Sequence, residues 1–275
     1  PLGGRIILYA LVLAAAAVPF FSRGQSSLWI QPRPSVIAFA RTMYELPEDS
    51  VVLVSFDYTP TFAGEMDTLA LALVRHLAQR SVGMVVMSTK PAGVGLALQV
   101  LTTVQAENPG YVYGQDYALL GYLPGEEIGL RTLNASLPAA FKVDYFEQRA
   151  LSELPIMQGV NTLGDLDALI ILSDDSQTVR QWIEQVQSRG STFMYAAVTS
   201  AVQPLLIPYL QSGQLDNLVG GIQETAEYEV VSGVQPVALG LLDGYVALFA
   251  VVVVVALVTN IIFLIRREWR KDGVA

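Results

Sequence analysis

One long uncharged segment near the C-terminus restricts the possible folds more than any other feature of the sequence. Residues 244–265 read GYVALFAVVVVVALVTNIIFLI, 22 residues without a charged side chain. As a helix this segment would be about 33 Å long, enough to cross the hydrocarbon core of a bilayer. Its valines favour strands in water, but a lone strand in lipid would leave its backbone unpaired. The segment therefore predicts a transmembrane helix, to which we assign residues 236–265.

The flanks of this segment predict its orientation. The tail of residues 266–275 is rich in basic side chains, namely Arg266, Arg267, Arg270 and Lys271. By contrast, residues 190–265 contain no Lys or Arg. Because basic flanks of membrane helices stay in the cytoplasm, the tail is predicted to be cytoplasmic.

A second apolar segment lies near the N-terminus. Residues 6–21 carry no charge and follow Arg5, a pattern typical of signal sequences and short signal anchors. We expect a retained anchor in residues 1–24 rather than a removed signal peptide. Two spans and a cytoplasmic C-terminus would also place the N-terminus in the cytoplasm. Residues 25–235 would then form an extracytoplasmic domain of a cell-membrane protein.

Small and polar residues in the C-terminal span predict contacts with other helices. Gly240 and Gly244 form a G-x-x-x-G pattern, and Thr259 and Asn260 are polar at lipid depth. Such residues join helices within membranes. For Asn260 the alternative is a hydrogen bond to its own helix backbone. The predicted partners are therefore the lipid bilayer and either other membrane subunits or further copies of this chain.

The supply of reactive side chains limits the chemistry of the domain. The sequence has no cysteine and one histidine, His76, which excludes thiolate chemistry and metal sites with several histidines. His76 falls inside a predicted helix, where we expect a surface or edge position rather than a catalytic one. We expect no cofactor and no metal.

The charge of the domain argues against nucleic acid as a partner. Residues 23–235 contain 22 acidic and 11 basic side chains, a net charge of −11. Nucleic-acid binding rewards clusters of Lys and Arg, which this region lacks.

Short apolar runs alternate with helical patterns between the two predicted spans. This alternation predicts an α/β fold with a wound, mainly parallel, Rossmann-like sheet between terminal transmembrane helices. The predicted strands cover residues 51–56, 82–87, 117–122, 168–173 and 193–198, with a weaker sixth at 218–222. Apolar residues from Met66 to Leu77 recur at helical spacing, as do those from Val179 to Val186.

Polar residues follow the predicted strands, at the edge where parallel sheets bind ligands. The candidate acids are Asp57, Glu126 and Asp174. Turn and capping roles account for the same residue types, so this alternative stays open. Asp57 is the acid to test first, because it follows its strand directly and has no helix to cap. Gly93-Val94-Gly95 resembles the start of a dinucleotide fingerprint, but Leu98 replaces its third glycine, so the pattern indicates a helix start instead.

The sequence between Glu153 and Glu229 resembles that of a known protein family. The segments ELPIMQGVNTLGDLDALIILSD, VRQWIEQV and PYLQSGQLDNLVGGIQETAEYE resemble a family of uncharacterised bacterial membrane proteins with a terminal anchor and an α/β domain. The resemblance implies this architecture and a bacterial envelope setting. It implies no activity and transfers no catalytic residue. It also marks residues 208–215 and 226–229 as typical of the family. Their proximity to the second anchor suits a docking surface as well as a ligand site.

Two functions follow from these observations. The first is a non-catalytic accessory or interaction subunit anchored in a bacterial membrane as part of a larger complex. The alternative is an extracytoplasmic domain that binds a ligand or hydrolyses it with carboxylates in the crevice at the strand ends. Carboxylate pairs can cleave glycosides without His or Cys, provided that two of them are held at a set separation.

Overall fold

The computed structural model describes residues 9–10, 12–14, 30–47, 49–186 and 192–272, with only the backbone given for 261–262 and 264–272. The chain divides into two compact units. One unit comprises Gln31–Ala238, and the other comprises residues 1–30 together with 239–275.

The first unit contains a six-stranded sheet in which every pairing is parallel. The strands are β1 (Val51–Asp57), β2 (Gly83–Ser88), β3 (Tyr117–Tyr122), β4 (Ala168–Ser173), β5 (Phe193–Val198) and β6 (Asn217–Gly220). Their order is β3-β2-β1-β4-β5-β6. The predicted Rossmann-like α/β class is therefore confirmed. The sixth strand is shorter than predicted, because Gly221 already begins a helix.

Helices follow most of the strands. They are α1 (Pro34–Glu45), α2 (Ala63–Gln79), α3 (Gly93–Glu107), α4 (Glu126–Ala135), α5 (Leu137–Ala140), α6 (Ser176–Val186), α7 (Gln203–Gln211) and α8 (Gly221–Ser232). Short 3-10 turns span Pro60–Phe62, Leu151–Glu153, Pro155–Met157 and Leu163–Asp165.

The sheet separates two apolar cores. Along β1, Val52, Val54 and Phe56 belong to one core, whereas Leu53 belongs to the other. This alternation follows from the two-residue period of a strand. Helices α1, α2, α3 and α8 contribute to the first core, and α4, α6 and α7 contribute to the second. Strand β1 is therefore covered on both faces, as an all-apolar central strand requires.

The second unit contains most of helix α9, which spans Ala238–Asp272. Among the described residues, one helical stretch is long and apolar enough to cross a membrane, Ala238–Asn260. This stretch overlaps the predicted C-terminal span. Of the predicted N-terminal span, only residues 9–10 and 12–14 are described, and they are helical. The rest of that span lies outside the described residues, so the two-span arrangement stays a prediction.

Candidate functional site

The carboxyl ends of β1 and β4 meet where the winding of the sheet reverses. From β1 the chain continues to β2 and β3 on one side, and from β4 it continues to β5 and β6 on the other. Ligands of open parallel sheets bind in the crevice at this reversal. The residues that follow β1 and β4 are therefore the first candidates for a functional site.

Asp57 ends β1 and is completely buried. Its Oδ1 accepts a hydrogen bond from the backbone N–H of Thr89 at 2.6 Å. Its Oδ2 accepts from Ser55 Oγ and from Trp182 Nε1, each at 2.8 Å. The carboxylate thus connects β1, the loop after β2 and helix α6. No part of this side chain is exposed to a solute.

Burial raises the pKa of Asp57, because a charged carboxylate loses its hydration. The hydrogen bonds from Thr89, Ser55 and Trp182 act in the opposite direction but leave the pKa above its ordinary value. A raised pKa in a cleft would be a sign of a catalytic acid. Here the raised pKa reflects enclosure within the core beside Trp182, which is also completely buried.

Asp174 follows β4 and bonds to groups in the loops after β1 and β2. Its Oδ2 accepts hydrogen bonds from the backbone N–H of Thr59 at 2.8 Å and from the Thr59 hydroxyl at 2.6 Å. Its Oδ1 pairs with Lys90 Nζ at 2.5 Å, and its side chain is 4% exposed. Burial raises the pKa of Asp174, but the bonds from Lys90 and Thr59 outweigh burial and hold the pKa below its usual range. The acid is therefore an ionised partner of Lys90.

Glu126 lies apart from the other two candidate acids. It is the exposed first residue of α4, with a left-handed φ of 46°. It lines a polar hollow of about 280 Å³ together with Thr89, Lys90, Leu130, Asp175, Gln177, Thr178 and Gln181. The structure thus brings Asp57 and Asp174 to the same reversal of the sheet and leaves Glu126 at the hollow beside it.

Glu65 and Asp67, at the start of α2, also have partners within the fold. Glu65 Oε1 accepts the backbone N–H of Ser200, in the loop after β5, at 2.7 Å. Asp67 Oδ1 accepts the hydroxyl of Tyr58 at 2.8 Å. Glu65 therefore holds the loop after β5, and Asp67 holds Tyr58 in the loop after β1.

Gly93 is required by packing. A Cβ at this position would lie 1.9 Å from the carbonyl oxygen of Phe56 and 2.2 Å from Ser88 Oγ. Helix α3 begins at Gly93, in agreement with the interpretation of this glycine pattern as a helix start. The glycine allows α3 to approach the ends of β1 and β2 closely.

His76 is buried, so its predicted surface or edge position is wrong. The imidazole is 3% exposed, and its Nδ1 lies 2.6 Å from the hydroxyl of Tyr228 on α8. Burial lowers the pKa of His76 to about 4, with a further contribution from Arg80. The helical position was predicted correctly, but sequence periodicity did not reveal that α8 covers this side of α2.

Helix α8 carries three buried acids. Glu224, Glu227 and Glu229 are each at most 4% exposed. Glu224 Oε1 pairs with Arg33 Nη1 at 2.6 Å, and Glu227 Oε2 accepts the backbone N–H of Arg33 at 3.0 Å. Residues 226–229 therefore do not form a docking surface, because their side chains are buried in the domain. Residues 211–214 of the other marked segment are exposed, so docking there stays a prediction.

Glu229 accepts backbone N–H groups at the C-terminal end of the domain, as Glu227 does from Arg33 at the N-terminal end. Its Oε1 accepts the backbone N–H groups of Val237 and Ala238, each at 2.9 Å. Arg33 precedes α1, and Ala238 begins α9. The chain therefore enters and leaves the domain beside the same helix. The sequence signal that could have suggested this is the i, i+3 spacing of Glu224 and Glu227, which places both acids on one side of the helix.

The polar residues proposed for membrane-helix packing all lie in α9. Thr259 Oγ1 donates to the carbonyl of Val255 at 2.7 Å, and Asn260 Nδ2 donates to that of Ala256 at 2.8 Å. The alternative for Asn260, a bond to its own helix, is the one observed. Gly240, Gly244, Arg266, Arg267, Arg270 and Lys271 also lie within α9. Packing of this helix against partners stays a prediction.

Comparison with family models, curated proteins and solved structures gave no match to this chain. Within the described part of the chain, no group of three or more His, Asp or Glu side chains could hold a metal ion. The candidate functions therefore depend on the geometry of the strand ends.

Proposed function

We propose that this chain is a non-catalytic accessory or interaction subunit anchored in a bacterial membrane, as part of a larger membrane complex. The observation that carries the proposal is that Asp174, Lys90 and Thr59 bond to one another at the sheet's reversal point. In an enzyme of this architecture the same crevice would receive the substrate.

The arrangement of the candidate acids supports a structural role for the strand ends. Glycoside hydrolysis needs two carboxyl groups that both reach the substrate. Asp57 is enclosed by Ser55, Thr89 and Trp182, and Asp174 is ion-paired with Lys90. Their oxygens hold the loops of the fold in place, which favours a stable scaffold over a reactive site.

The ends of the domain support attachment at two points. Arg33 and Val237 both bind acids of α8, so the segments before and after the domain leave from neighbouring positions. Such an arrangement is compatible with two membrane anchors on one domain. The proposal therefore includes the two-span topology with cytoplasmic termini and an extracytoplasmic domain.

Co-purification from the native membrane tests the proposed function. The tagged full chain, extracted in mild detergent, is expected to retain stoichiometric membrane partners in native mass spectrometry. A matched chain in which Gly240 and Gly244 are replaced by leucine is expected to lose them, because small residues let neighbouring membrane helices approach closely. Recovery of the unmodified chain as a lone monomer would contradict the proposal.

The hollow beside Glu126 supports a second candidate function, the binding of a small polar ligand. Its lining combines Lys90, Asp175 and Gln181 with Glu126, and its volume of about 280 Å³ is close to the lower limit for small-molecule sites. Substitution Glu126→Gln is expected to weaken such binding without changing thermal stability, because Glu126 is exposed. Thermal-shift screening against sugars, amino acids and carboxylates checks this candidate, and a screen without any stabilising compound would refute it.

A further inference from the structure

A further cavity lies near the amino ends of the strands, away from the strand-end crevice. Its volume is about 420 Å³, within the range of small-molecule sites. Its lining includes Lys142 and parts of two loops, residues 150–152 and 157–161. Ile156, beside the second loop, donates its N–H to the carbonyl of Gly114, shortly before β3 begins. We refer to this space as the Lys142 cavity.

The Lys142 cavity has an apolar floor. Leu151, Met157 and Val160 belong to the second core, and each is at most 6% exposed. The neutral polar residues of the lining are Ser152, Gln158 and Asn161. No acidic side chain of the described chain contributes to the lining, so Lys142 is its one charged group there.

Lys142 is an exposed cation without an acidic partner. The ion pairs found among the described residues involve Arg33, Arg41, Arg75, Lys90, Arg131 and Arg149, and none involves Lys142. Residues 23–235 carry a net charge of −11, so acids outnumber bases twofold in this region. The cavity therefore presents a free positive charge beside an apolar floor, in a domain that is otherwise acidic.

Hydrogen bonds hold the walls of the cavity together before any ligand binds. The N–H of Leu137, at the start of α5, donates to the carbonyl of Asn161 at 2.8 Å. Val143, the neighbour of Lys142, forms an antiparallel bridge with Ala150. Each contact joins the part of the chain around Lys142 to one of the two lining loops. Such preorganisation lowers the entropy cost of binding.

Gly159 leaves one side of the cavity open. Its φ of 86° lies in the left-handed region that favours glycine. A Cβ at this position would meet no atom within 4 Å. A small solute can therefore enter at this position without displacing a side chain.

These features fit an anion that also has an apolar part. A carboxylate pairs with the Lys142 ammonium group, and Ser152, Gln158 and Asn161 carry hydrogen-bond donors for its oxygens. The apolar part of the ligand covers the floor. We propose that the Lys142 cavity binds a small organic carboxylate with an apolar body, such as a short-chain fatty acid. This site is separate from the strand-end crevice and does not depend on the function proposed above.

Protection of an introduced cysteine tests the proposal. The chain has no cysteine, so Ser152→Cys places a single thiol in the lining. The rate of maleimide labelling is measured with the full chain in dodecyl maltoside, at constant pH and increasing hexanoate. Hexanoate is expected to slow labelling saturably, by at least about threefold, because a bound ligand covers the walls of its site.

The control for this assay is Gln211→Cys, an exposed position at the end of α7 and outside the cavity. Its labelling is expected to be unaffected by hexanoate. Saturation-transfer NMR with the unmodified chain, with empty micelles as the blank, decides the case in which Ser152→Cys itself prevents binding. No saturable binding by either method, or equal slowing at both cysteines, would overturn the proposal.

Two further probes separate the charge of the ligand from its apolar body. Hexanamide has the same chain without the charge and is expected to bind about fivefold more weakly than hexanoate, because it loses the ion pair. Acetate keeps the charge but lacks most of the chain, so it is expected to bind at least about tenfold more weakly. Equal affinity of either probe and hexanoate would overturn the proposal.

Variants of Lys142 locate the positive charge. Lys142→Gln is expected to weaken hexanoate binding about fivefold, and Lys142→Arg is expected to retain most of the affinity because it keeps the charge. Arg180→Gln removes an exposed cation of α6 outside the cavity and is expected to leave the affinity unchanged. Circular dichroism checks that each variant folds. Unchanged affinity in Lys142→Gln, or an equal loss in Arg180→Gln, would overturn the proposal.

Discussion

Asp57 joins three parts of the fold through two carboxylate oxygens. Ser55 lies on β1 itself, Thr89 lies in the loop after β2, and Trp182 lies on α6. A buried carboxylate is costly unless its oxygens are satisfied, and these donors satisfy both. The residue therefore stabilises the strand ends from within the core.

The substitution Asp57→Asn is expected to destabilise the domain. In the variant, the side-chain NH2 group would replace one carboxylate oxygen and would face a donor that binds this oxygen in the unmodified chain. That buried donor would lose its partner, at a cost of about 2–3 kcal/mol. For a domain of this size the midpoint of thermal unfolding should fall by about 4–12 °C. Circular dichroism measures this midpoint.

The matched control for Asp57→Asn is Asp49→Asn. Asp49 is exposed, so its substitution should shift the midpoint by less than about 2 °C. An unchanged midpoint in Asp57→Asn, together with loss of ligand binding, would instead support the ligand-binding alternative.

His76 predicts a pH dependence of stability. Its folded pKa of about 4 lies below the ordinary value of 6.5, so the unfolded chain binds the proton more readily. The contribution of His76 to the free energy of unfolding is fully present above pH 6.5 and is lost as the pH falls from 6.5 to about 4. The full difference amounts to about 3–4 kcal/mol.

Unfolding midpoints measured from pH 7.5 to 4 check the role of His76. The variant His76→Gln does not titrate in this range, so its midpoint should fall less steeply with acid than that of the unmodified chain. Because the chain has one histidine, its NMR titration can be assigned without ambiguity. Parallel pH profiles for the two proteins would contradict the prediction.

At the scale of elements, α8 connects the two ends of the domain. Its acids bind Arg33 before α1 and the backbone of Val237 and Ala238 at the start of α9. Glu224 also accepts Gln203 Nε2 at 2.7 Å and the N–H of Gly220 at 2.8 Å. The helix thus has a polar, buried side in addition to its apolar one.

A double-mutant cycle measures the connection between Arg33 and Glu224. Arg33→Ala and Glu224→Ala are expected to couple by about 1–2 kcal/mol, because Glu224 is only 4% exposed whereas Arg33 is 43% exposed. The control cycle uses Arg41 and Glu45 on α1, an exposed i, i+4 pair. That pair should couple by about 0.3–0.5 kcal/mol. Equal coupling in both cycles would show that burial of Glu224 adds nothing.

At the scale of the whole molecule, the proposed topology places the domain and the basic tail on opposite sides of the membrane. Cysteine labelling can test this topology directly. The chain has no cysteine of its own, so a single introduced cysteine is its only thiol. Ser152→Cys places a thiol at an exposed position of the domain, and Gly273→Cys places one in the tail.

In intact cells, a membrane-impermeant maleimide is expected to label Ser152→Cys at least about tenfold more than Gly273→Cys, because basic flanks stay inside. Both should label equally once the membrane is opened with detergent. Labelling of Ser152→Cys only after the cells are opened would contradict the extracytoplasmic domain.

The secondary structure of the domain was largely predictable because it depends on local periodicity. Five of the six strands begin and end within one residue of their predicted positions, and the stripe from Met66 to Leu77 lies on α2. The end of the sixth strand was not predictable, since Gly221 has a φ of 81° and packs against Ser200, a contact between distant parts of the chain.

The sequence by itself determined a long uncharged C-terminal helix, an α/β alternation and the placement of polar residues after the strands, because each depends on the order of neighbouring residues. Only the tertiary structure decided what those polar residues do. Trp182 lies 125 positions from Asp57, and Glu224 lies 191 positions from Arg33. Whether an acid is buried, paired or open to a ligand depends on such distant partners, which no local pattern specifies.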